Sequence, residues 1–475
     1  MAEAHPERND QPPAEPASLR GLRVGVVGLG VEGVDIVRFL AAEQAAKIVV
    51  SDRRSEGRLA GRIAELDGID FRLTSNDPEL AAEIDVLFVS QGVPDDLPLV
   101  QAARQRGIAV TAMMRHFLHR CPVPTIGITG SAGKTTTTAL VGAMFRAAGR
   151  DVFVGGNIGA GPLSALSEIG PATDVVLEVS HTQLARTDRS PHLAAVLNLT
   201  PNHLDQFSWD DYVALKRNLV GHQRGSDIVV LPSDDPVAAA FAADTPAELV
   251  RFGLHQFRGR GATVEDGHIV THLADGPSDV CTVDAIRLPG EHNLYNVLGA
   301  VAITSAWGLP AKALADAIAA FEGVPHRLHT IAVVDGVRYI DDSIATAPER
   351  TVAALRALVE PVVLLLGGRE KRLPLDSLSE EASRHARAVI CFGEAGPTFA
   401  EQIGRTWAAL DDAPPITLVN DLPAAIEAAR SAAQRGDAVL LAPAGTSFDA
   451  YDNFEARGDH FSELVSGAGG NDGTR

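Results

Sequence analysis

From Leu22 onward the chain alternates short apolar runs with longer stretches whose apolar residues recur at helical spacing. Runs at Leu22 to Val27, Ile48 to Val50 and Val86 to Ser90 read as strands, and strands separated by helical stretches predict the βαβ units of a parallel sheet. This first series ends near Leu118. The stretch Cys121-Pro122-Val123-Pro124 then punctuates the chain and opens a second series. Its strands are expected at Thr125 to Thr129, Val175 to Val179 and Ala194 to Leu199, followed by a less regular region to about residue 320. After Val324-Pro325-His326-Arg327 the rhythm restarts, with strands near Val337 to Ile340, Val362 to Leu366, Ala388 to Phe392 and Ala438 to Leu441. The expected layout is three α/β domains at 21–118, 119–323 and 324–465, with tails at 1–20 and 466–475.

Composition removes several alternatives. A chain of 475 residues exceeds one ordinary core, which agrees with three domains. Hydrophobic residues at 45% and charged residues at 21% are ordinary globular usage, and no apolar run is long enough for a bilayer. The first residues carry charge and proline (His5, Pro6, Glu7, Arg8, Pro12, Pro13, Pro16) without the apolar core of an export signal, so a disordered tail and a cytoplasmic location are expected. The Gly-rich polar end is likewise expected to be unstructured. Cys121, Cys281 and Cys391 stand far apart with no CxxC or histidine partner, which points to neither disulfides nor zinc. A formal charge of -20 without a Lys/Arg run argues against nucleic acid as a partner, and anionic substrates would need local cations.

Two glycine-rich turns carry candidate chemistry. Gly127-Ile128-Thr129-Gly130-Ser131-Ala132-Gly133-Lys134-Thr135 ends a strand and opens a helix, the setting a phosphate loop requires. There glycines let backbone N–H groups turn toward phosphate, the helix start adds positive potential, Lys134 reaches the terminal phosphates and the Thr135 hydroxyl can ligate Mg²⁺. Glu178 ends one neighbouring strand and His203 follows another, so both can project beside the phosphates, a carboxylate and an imidazole suited to metal. The other turn is Gly28-Leu29-Gly30-Val31-Glu32-Gly33, with Asp52 closing the next strand. Read alone it is a dinucleotide fingerprint. The fold class expected is therefore α/β in three domains: a Rossmann-like N-terminal domain, a central P-loop ATPase-type domain with a mostly parallel sheet, and a Rossmann-like C-terminal domain.

A phosphate loop alone allows a motor, a switch, a kinase or a ligase. The wider set decides among them: Gly130 to Thr135, Gly155-Gly156-Asn157-Ile158-Gly159, Leu177-Glu178-Val179-Ser180, Asn198-Leu199-Thr200-Pro201-Asn202-His203-Leu204-Asp205, Gly290-Glu291-His292-Asn293 with Asn296, and His326-Arg327. In this order and spacing they resemble the Mur ligases of peptidoglycan synthesis. Asp342-Ser343, Leu366-Gly367-Gly368 and Ser447-Phe448-Asp449 followed by Asn453-Phe454 look most like the branch that adds glutamate. The likeness runs from about Gly21 to Phe461.

The resemblance implies an ATP-dependent acid–amino-acid ligase acting on UDP-N-acetylmuramoyl-L-alanine through an acyl phosphate, as a cytoplasmic monomer. It implies ATP contacts at Gly130, Ser131, Ala132, Gly133, Lys134, Thr135, Thr136, Asn293, Arg327 and Asp342. Lys134, His203, Lys216 and Asn157 would be catalytic. Two Mg²⁺ ions would be held by Thr135, Glu178, His203 and Lys216, the last as a carbamate formed with CO₂. The first domain would hold UDP rather than a nicotinamide, through Gly28, Gly30, Asp52, Arg53, Ser90 and Gly92. Thr346, Lys371, Ser447 and Phe454 would hold glutamate.

This chain departs from that branch in two places. Where the branch usually has Asn-Asp-Ser-Lys-Ala-Thr-Asn, it has Asp341-Asp342-Ser343-Ile344-Ala345-Thr346-Ala347, so an ammonium has become a sec-butyl group near the expected carboxylate site. That leaves D-glutamate and L-glutamate as alternatives, with Lys371 as the remaining cation. Ser180-His181-Thr182-Gln183 also differs from the common Ser-Ser-Phe-Gln, with no sequence rationale for His181. A nucleotide-binding switch with little ligase activity is the competing class, and phosphate release that depends on added amino acid separates the two.

Overall fold

The computed structural model describes residue 16 and residues 18–159, 161–201, 207–273, 276–288, 290–371, 373–408, 410 and 412–467. The expected disordered tails fall almost wholly outside them, although Leu19 is fully buried in the first core. The chain divides into two compact units, one running to Phe321 and the other beginning at Glu322.

The first unit holds two sheets. In one, β1 (Arg23–Val27), β2 (Lys47–Asp52), β3 (Asp70–Leu73), β4 (Val86–Val89) and β5 (Ala109–Thr111) lie in the order β3-β2-β1-β4-β5, every pairing parallel. Val24 to Val27 and Val86 to Val89 are all buried, as strands covered by helices on both faces must be. The edge strands β3 and β5 escape the apolar pattern because β3 is only partly buried and β5 is three residues long.

The second sheet has the order β14-β13-β12-β11-β10-β9-β6-β8-β7. Its strands are β6 (Thr125–Thr129), β7 (Val152–Gly156), β8 (Asp174–Glu178), β9 (Leu193–Val196), β10 (Ile228–Pro232), β11 (Glu248–Phe252), β12 (Gly261–Glu265), β13 (His268–Leu273) and β14 (Gly276–Thr282). Strands β7 through β12 pair in parallel and β12, β13 and β14 antiparallel. The region to about residue 320, expected to be less regular, is in fact the continuation of this sheet with the helices Trp209–Arg217, Pro236–Ala239, Glu291–Ala306 and Ala311–Ala320. Its hairpin strands carry Thr, His, Asp and Ser among the apolar residues, which hides their period. Residues of β8 alternate between cores: Val175 and Leu177 join the cluster shared with the first sheet, while Val176 joins Ile126, Leu140, Phe145 and the helix Glu291–Ala306.

A buried carboxylate ties the two sheets of this unit together. Asp35, on the helix Val31–Ala42, accepts the backbone N–H groups of Leu163 (3.1 Å) and Ser164 (3.0 Å) and the Ser164 hydroxyl. Gly161 makes room for it, since a Cβ there would stand 2.1 Å from Asp35 Oδ1.

The second unit has one sheet of order β15-β16-β20-β17-β18-β19, from β15 (His329–Val334), β16 (Val337–Asp341), β17 (Val362–Gly367), β18 (Ala386–Phe392), β19 (Ile416–Leu418) and β20 (Ala438–Ala444). Only the β15–β16 pairing is antiparallel. Helices Pro348–Arg356, Asp376–His385 and Gly396–Trp407 pack on one face, and Leu422–Ala432 and Phe454–Gly467 on the other. The carboxyl ends of β16, β17 and β20 lie side by side, where doubly wound sheets take their ligands.

The Asp35 contact is testable through stability. Asp35→Ala strands two amides that the carboxylate now satisfies, and should lower the unfolding free energy by about 1–3 kcal/mol. Equilibrium denaturation reads this directly; an unchanged midpoint would mean that the carboxylate is dispensable to the joint.

Candidate active site

Thr129 ends β6, and Gly130 to Gly133 turn the chain into the helix Lys134–Ala147. Gly133 has φ +77°, and a Cβ there would lie 2.0 Å from Asn296 Oδ1, so only glycine fits. The segment after β9 clamps the loop. Asn198 accepts from the Ala132 N–H (2.8 Å) and donates to the Ala132 carbonyl (3.1 Å), while the Ser131 hydroxyl accepts from the Thr200 N–H (3.0 Å) and lies 3.2 Å from the Tyr212 hydroxyl. Lys134 Nζ donates to the carbonyls of Gly130 (2.8 Å) and Ser131 (3.2 Å). Thr135 is buried and Thr136 half-buried in the first helical turn. Asn293 sits one turn before Asn296, whose side-chain amide donates to it (3.3 Å), so it too belongs to the neighbourhood of the loop.

Beneath the loop lies Lys216. Ser208 caps its helix, Trp209–Arg217, and the i,i+4 pair Tyr212 and Lys216 face inward. Its ammonium position is 1% exposed, with Nζ donating to Thr129 Oγ1 (2.9 Å) and the Gly130 carbonyl (3.1 Å). Burial, and then the charge of Lys134, pull this amine down to about 6 against an opposing pull from Glu178. At neutral pH most of it is unprotonated.

Glu178 closes β8 and is also buried. Its Oε1 accepts from Asn157 Nδ2 (2.8 Å), and the Asn157 N–H donates to the Glu178 carbonyl (2.8 Å). Gly156 permits this approach: a Cβ there would meet the Glu178 carbonyl oxygen at 2.3 Å. Glu178 Oε2 is buried and accepts no hydrogen bond among the described residues. A buried carboxylate oxygen without a donor suits a hard divalent cation such as Mg²⁺. No cluster of three His, Cys, Asp or Glu exists among the described residues, and His203 lies outside them.

His181 now has a setting. Ser180 and Gln183 form a reciprocal capping box that starts a short helix, and the His181 ring packs at 5.4 Å from Phe207 and 5.6 Å from Tyr212. Gln91 Nε2 reaches Ser180 Oγ (3.2 Å), and the Gln91 N–H donates to Glu32 (2.6 Å), whose carboxyl is pushed up to about 7 chiefly by burial. Glu32 lies inside the Gly28 to Gly33 turn and Gln91 between Ser90 and Gly92, but nothing local in the sequence pairs the two.

At the other turn Gly28 has φ +91° and its carbonyl accepts from Ser90 Oγ (2.6 Å); Gly30 caps the helix and Gly92 has φ +75°. Asp52 accepts from the Leu29 N–H (2.8 Å) and from Arg54 through two nitrogens (2.9 and 2.6 Å). Burial alone would raise that carboxyl, but Arg54 and the Leu29 amide hold it down to about 2. The cation engaged with the turn is thus Arg54, while Arg53 is exposed. Arg62 donates to the Leu29 carbonyl (2.9 Å) and, with Val31, Arg38, Gly159 and Ser164, lines a cavity of about 500 Å³.

The second unit gathers its own set. Asp342 Oδ1 accepts the Leu328 N–H (3.0 Å), and burial pushes its carboxyl up to about 7, partly offset by that bond and by Arg327. Lys371 Nζ donates to Thr346 Oγ1 (3.1 Å), and partial desolvation followed by the charge of Arg350 lowers its pKa. The Phe454 carbonyl accepts from Ser343 Oγ (2.8 Å), and Ser447 is buried just past β20.

Comparison with known proteins matches residues 22–112 to the N-terminal domain of Mur ligase MurD-like proteins, 128–304 to the Mur ligase middle domain and 326–445 to the Mur ligase glutamate ligase domain. The UDP-N-acetylmuramoylalanine–D-glutamate ligase of Symbiobacterium thermophilum is 40% identical over 448 residues, 93% of this chain and 97% of that protein. The chain belongs to the Mur ligase family. The enzyme of the same name from Pelotomaculum thermopropionicum is 36% identical over 93% of this Mur ligase and 97% of its own length. Among solved structures, UDP-N-acetylmuramate-alanine ligase from Thermotoga maritima superposes with a TM-score of 0.57 at 18% identity, covering 94% of this chain and all of the other, a likeness of fold alone. Mur ligases are ATP-dependent, Mg²⁺-using enzymes that form peptide bonds, and the three α/β domains found here are theirs.

The Lys216 amine makes a prediction of definite sign. Its folded value lies far below that of an unfolded lysine, so between about pH 6 and 10 the unfolded chain binds more protons and stability rises with pH. Lys216→Met should lack that rise and unfold at a higher temperature than wild type at pH 7. Thermal unfolding of both proteins across that range checks it; parallel pH slopes would mean the amine keeps its proton.

Proposed function

We propose that this Mur ligase joins D-glutamate to UDP-N-acetylmuramoyl-L-alanine, converting ATP to ADP and phosphate. What carries the substrate assignment is identity of 40% along nearly the whole chain to a protein named for that reaction. The chemistry is supported by the juxtaposition of the phosphate loop, the orphaned Glu178 oxygen and the uncharged Lys216 amine.

A carboxylate is a poor acyl donor because its leaving group would be oxide. In the proposed sequence the alanyl carboxylate oxygen attacks the γ-phosphorus, the bond to the bridging oxygen of ADP breaks, and an acyl phosphate forms. The glutamate nitrogen then attacks the carbonyl carbon, the C–O bond to phosphate breaks, and the nitrogen loses its proton. Lys134, Thr136 and the backbone of Gly130 to Gly133 hold the phosphates, with Asn157 approaching from the end of β7. Asn293, Arg327 and Asp342 contact the nucleotide. Gly28, Gly30, Asp52, Ser90 and Gly92 form the UDP turn, where Arg54 and Arg62 take the place expected of Arg53. Lys371, Thr346, Ser447 and Phe454 take the amino acid.

Thr135, Glu178, His203 and Lys216 would hold two Mg²⁺ ions, which supply charge neutralisation to the phosphate oxygens. Lys216 would act as the adduct of its neutral amine with CO₂, in which an N–C bond forms as one C–O π bond opens and a proton leaves, giving an anion suited to hold a divalent cation. On this reading the enzyme works in the cytoplasm as a monomer. Among the described residues no helix is long and apolar enough to cross a membrane.

Purified protein given ATP, Mg²⁺ and UDP-N-acetylmuramoyl-L-alanine, with D- or L-glutamate offered separately, should form the D-glutamyl product by mass. Exclusive use of L-glutamate would instead make the Ile344 and Ala347 segment a stereochemical variant, and phosphate release indifferent to amino acid would favour a switch. Lys134→Ala should lower turnover roughly a hundredfold or more without unfolding the chain, since it removes a cation from developing negative charge; near-normal turnover would take the loop out of the mechanism. Lys216→Ala should lose activity and regain part of it in high acetate, a carboxylate that fills the place of the carbamate. Full activity of that variant without acetate would end the carbamate reading.

A further inference from the structure

Arg457 is the largest fully buried side chain, 0% exposed, and no carboxylate stands at ion-pair distance among the described residues. Its guanidinium donates from Nε to Ser343 Oγ (2.9 Å), from Nη2 to the Ser343 carbonyl (2.9 Å) and from Nη1 to the Gly445 carbonyl (3.2 Å). Burial lowers its pKa to about 10, with Asp449 and Asp341 opposing, so it stays charged at neutral pH. A buried cation held only by neutral oxygens carries a desolvation cost that its hydrogen bonds must offset. Its presence calls for a use.

The partners show what it organises. Ser343 precedes Thr346 by three residues, Gly445 precedes Ser447 by two, and Arg457 itself follows Phe454 by three on one helix. The Ser343 hydroxyl, accepting from Arg457, donates onward to the Phe454 carbonyl (2.8 Å). Gly368, three residues before Lys371, is bare because a Cβ there would meet Nη1 at 2.8 Å and the Thr446 carbonyl oxygen at 2.1 Å. Every residue given to glutamate is therefore within three positions of an atom that Arg457 touches or crowds.

We propose that Arg457 is the positioning residue of the glutamate pocket: its three-pronged bond to Ser343 and Gly445 sets the spacing of Thr346, Ser447, Phe454 and Lys371, and its fixed charge favours an anionic amino acid. The inference rests on the glutamate reading above. The charge reaches the pocket: the Lys371 ammonium is depressed first by desolvation, then by Arg350 and, less, by Arg457, with Glu349 opposing. A dicarboxylate arriving among these cations relieves their repulsion, and a neutral amino acid does not.

The test compares wild type with Arg457→Lys, Arg457→Met and Ser343→Ala, reading KM for D-glutamate, KM for ATP and the thermal midpoint. Arg457→Lys should raise KM for glutamate about tenfold or more while KM for ATP moves about twofold at most, and Arg457→Met should do worse than Lys, which keeps the charge. Ser343→Ala cuts the link to Phe454 and removes one of the three bonds of Arg457 while leaving those to the Ser343 and Gly445 carbonyls, so it reports even if both Arg457 variants fail to fold; it should raise KM for glutamate selectively. Ligation by wild type with an unaltered glutamate KM in Ser343→Ala and in any folded Arg457 variant would overturn the proposal. So would an equal rise for ATP and glutamate. A wild type that ligates no glutamate would instead overturn the underlying assignment.

Discussion

An amine sealed beneath a phosphate loop must give up its proton, and much of the middle domain is built around that constraint. Among the described residues Lys216 hydrogen-bonds Thr129 Oγ1 and the Gly130 carbonyl, and after burial the charge that disfavours its protonation is that of Lys134, whose own ammonium bonds the Gly130 and Ser131 carbonyls. Tyr212, one turn earlier, lies under the amine at 5.5 Å and meets Ser131 with its hydroxyl. The loop, its clamp at Asn198 and Thr200, and the helix Trp209–Arg217 therefore hold one another in place. A charged Lys216 would add repulsion inside this knot, whereas a neutral one is a nucleophile toward CO₂.

The second unit solves the opposite problem. Arg457 is buried and remains charged, and Asp342, also buried, is pushed to about 7. One unit thus buries a base that is discharged and the other a cation that is not. The difference follows from partners: Arg457 spreads its donors over three oxygens and cannot deprotonate at neutral pH, whereas a single ammonium with two oxygens can.

Much of this was legible in the sequence because certain chemistry needs fixed residue types. The phosphate loop, the Gly28 to Gly33 turn, Glu178 at a strand end and Asn157 after a pair of glycines stand where the motifs put them, since left-handed or crowded backbone admits only glycine. The long continuous apolar strands were equally plain. Short or polar edge strands such as β3, β15 and β19 were not, because an edge strand need bury only part of itself. The stretch to about residue 320 looked irregular because β13 and β14 pair as a partly exposed hairpin. Arg54 stands two residues from Asp52, and only the geometry distinguishes it from Arg53. Arg62 and Arg457 gave no local signal, and the pairing of Glu32 with Gln91 gave none either, because each has its partner tens of residues away. His181 is of the same kind, a ring placed by Tyr212 and Phe207 rather than by its own motif.

The Asp35 contact bears on how such proteins can be reshuffled. A helix of the first domain supplies the carboxylate that satisfies backbone amides at Leu163 and Ser164 in the next domain, and Gly161 is kept bare to admit it. Those amides belong to one module and their acceptor to another. Recombination that exchanged the first domain for one lacking an acid at this point of its helix would leave donors buried and unmet in the recipient. A graft would need a donor domain that carries the same acid, although each module has its own sheet.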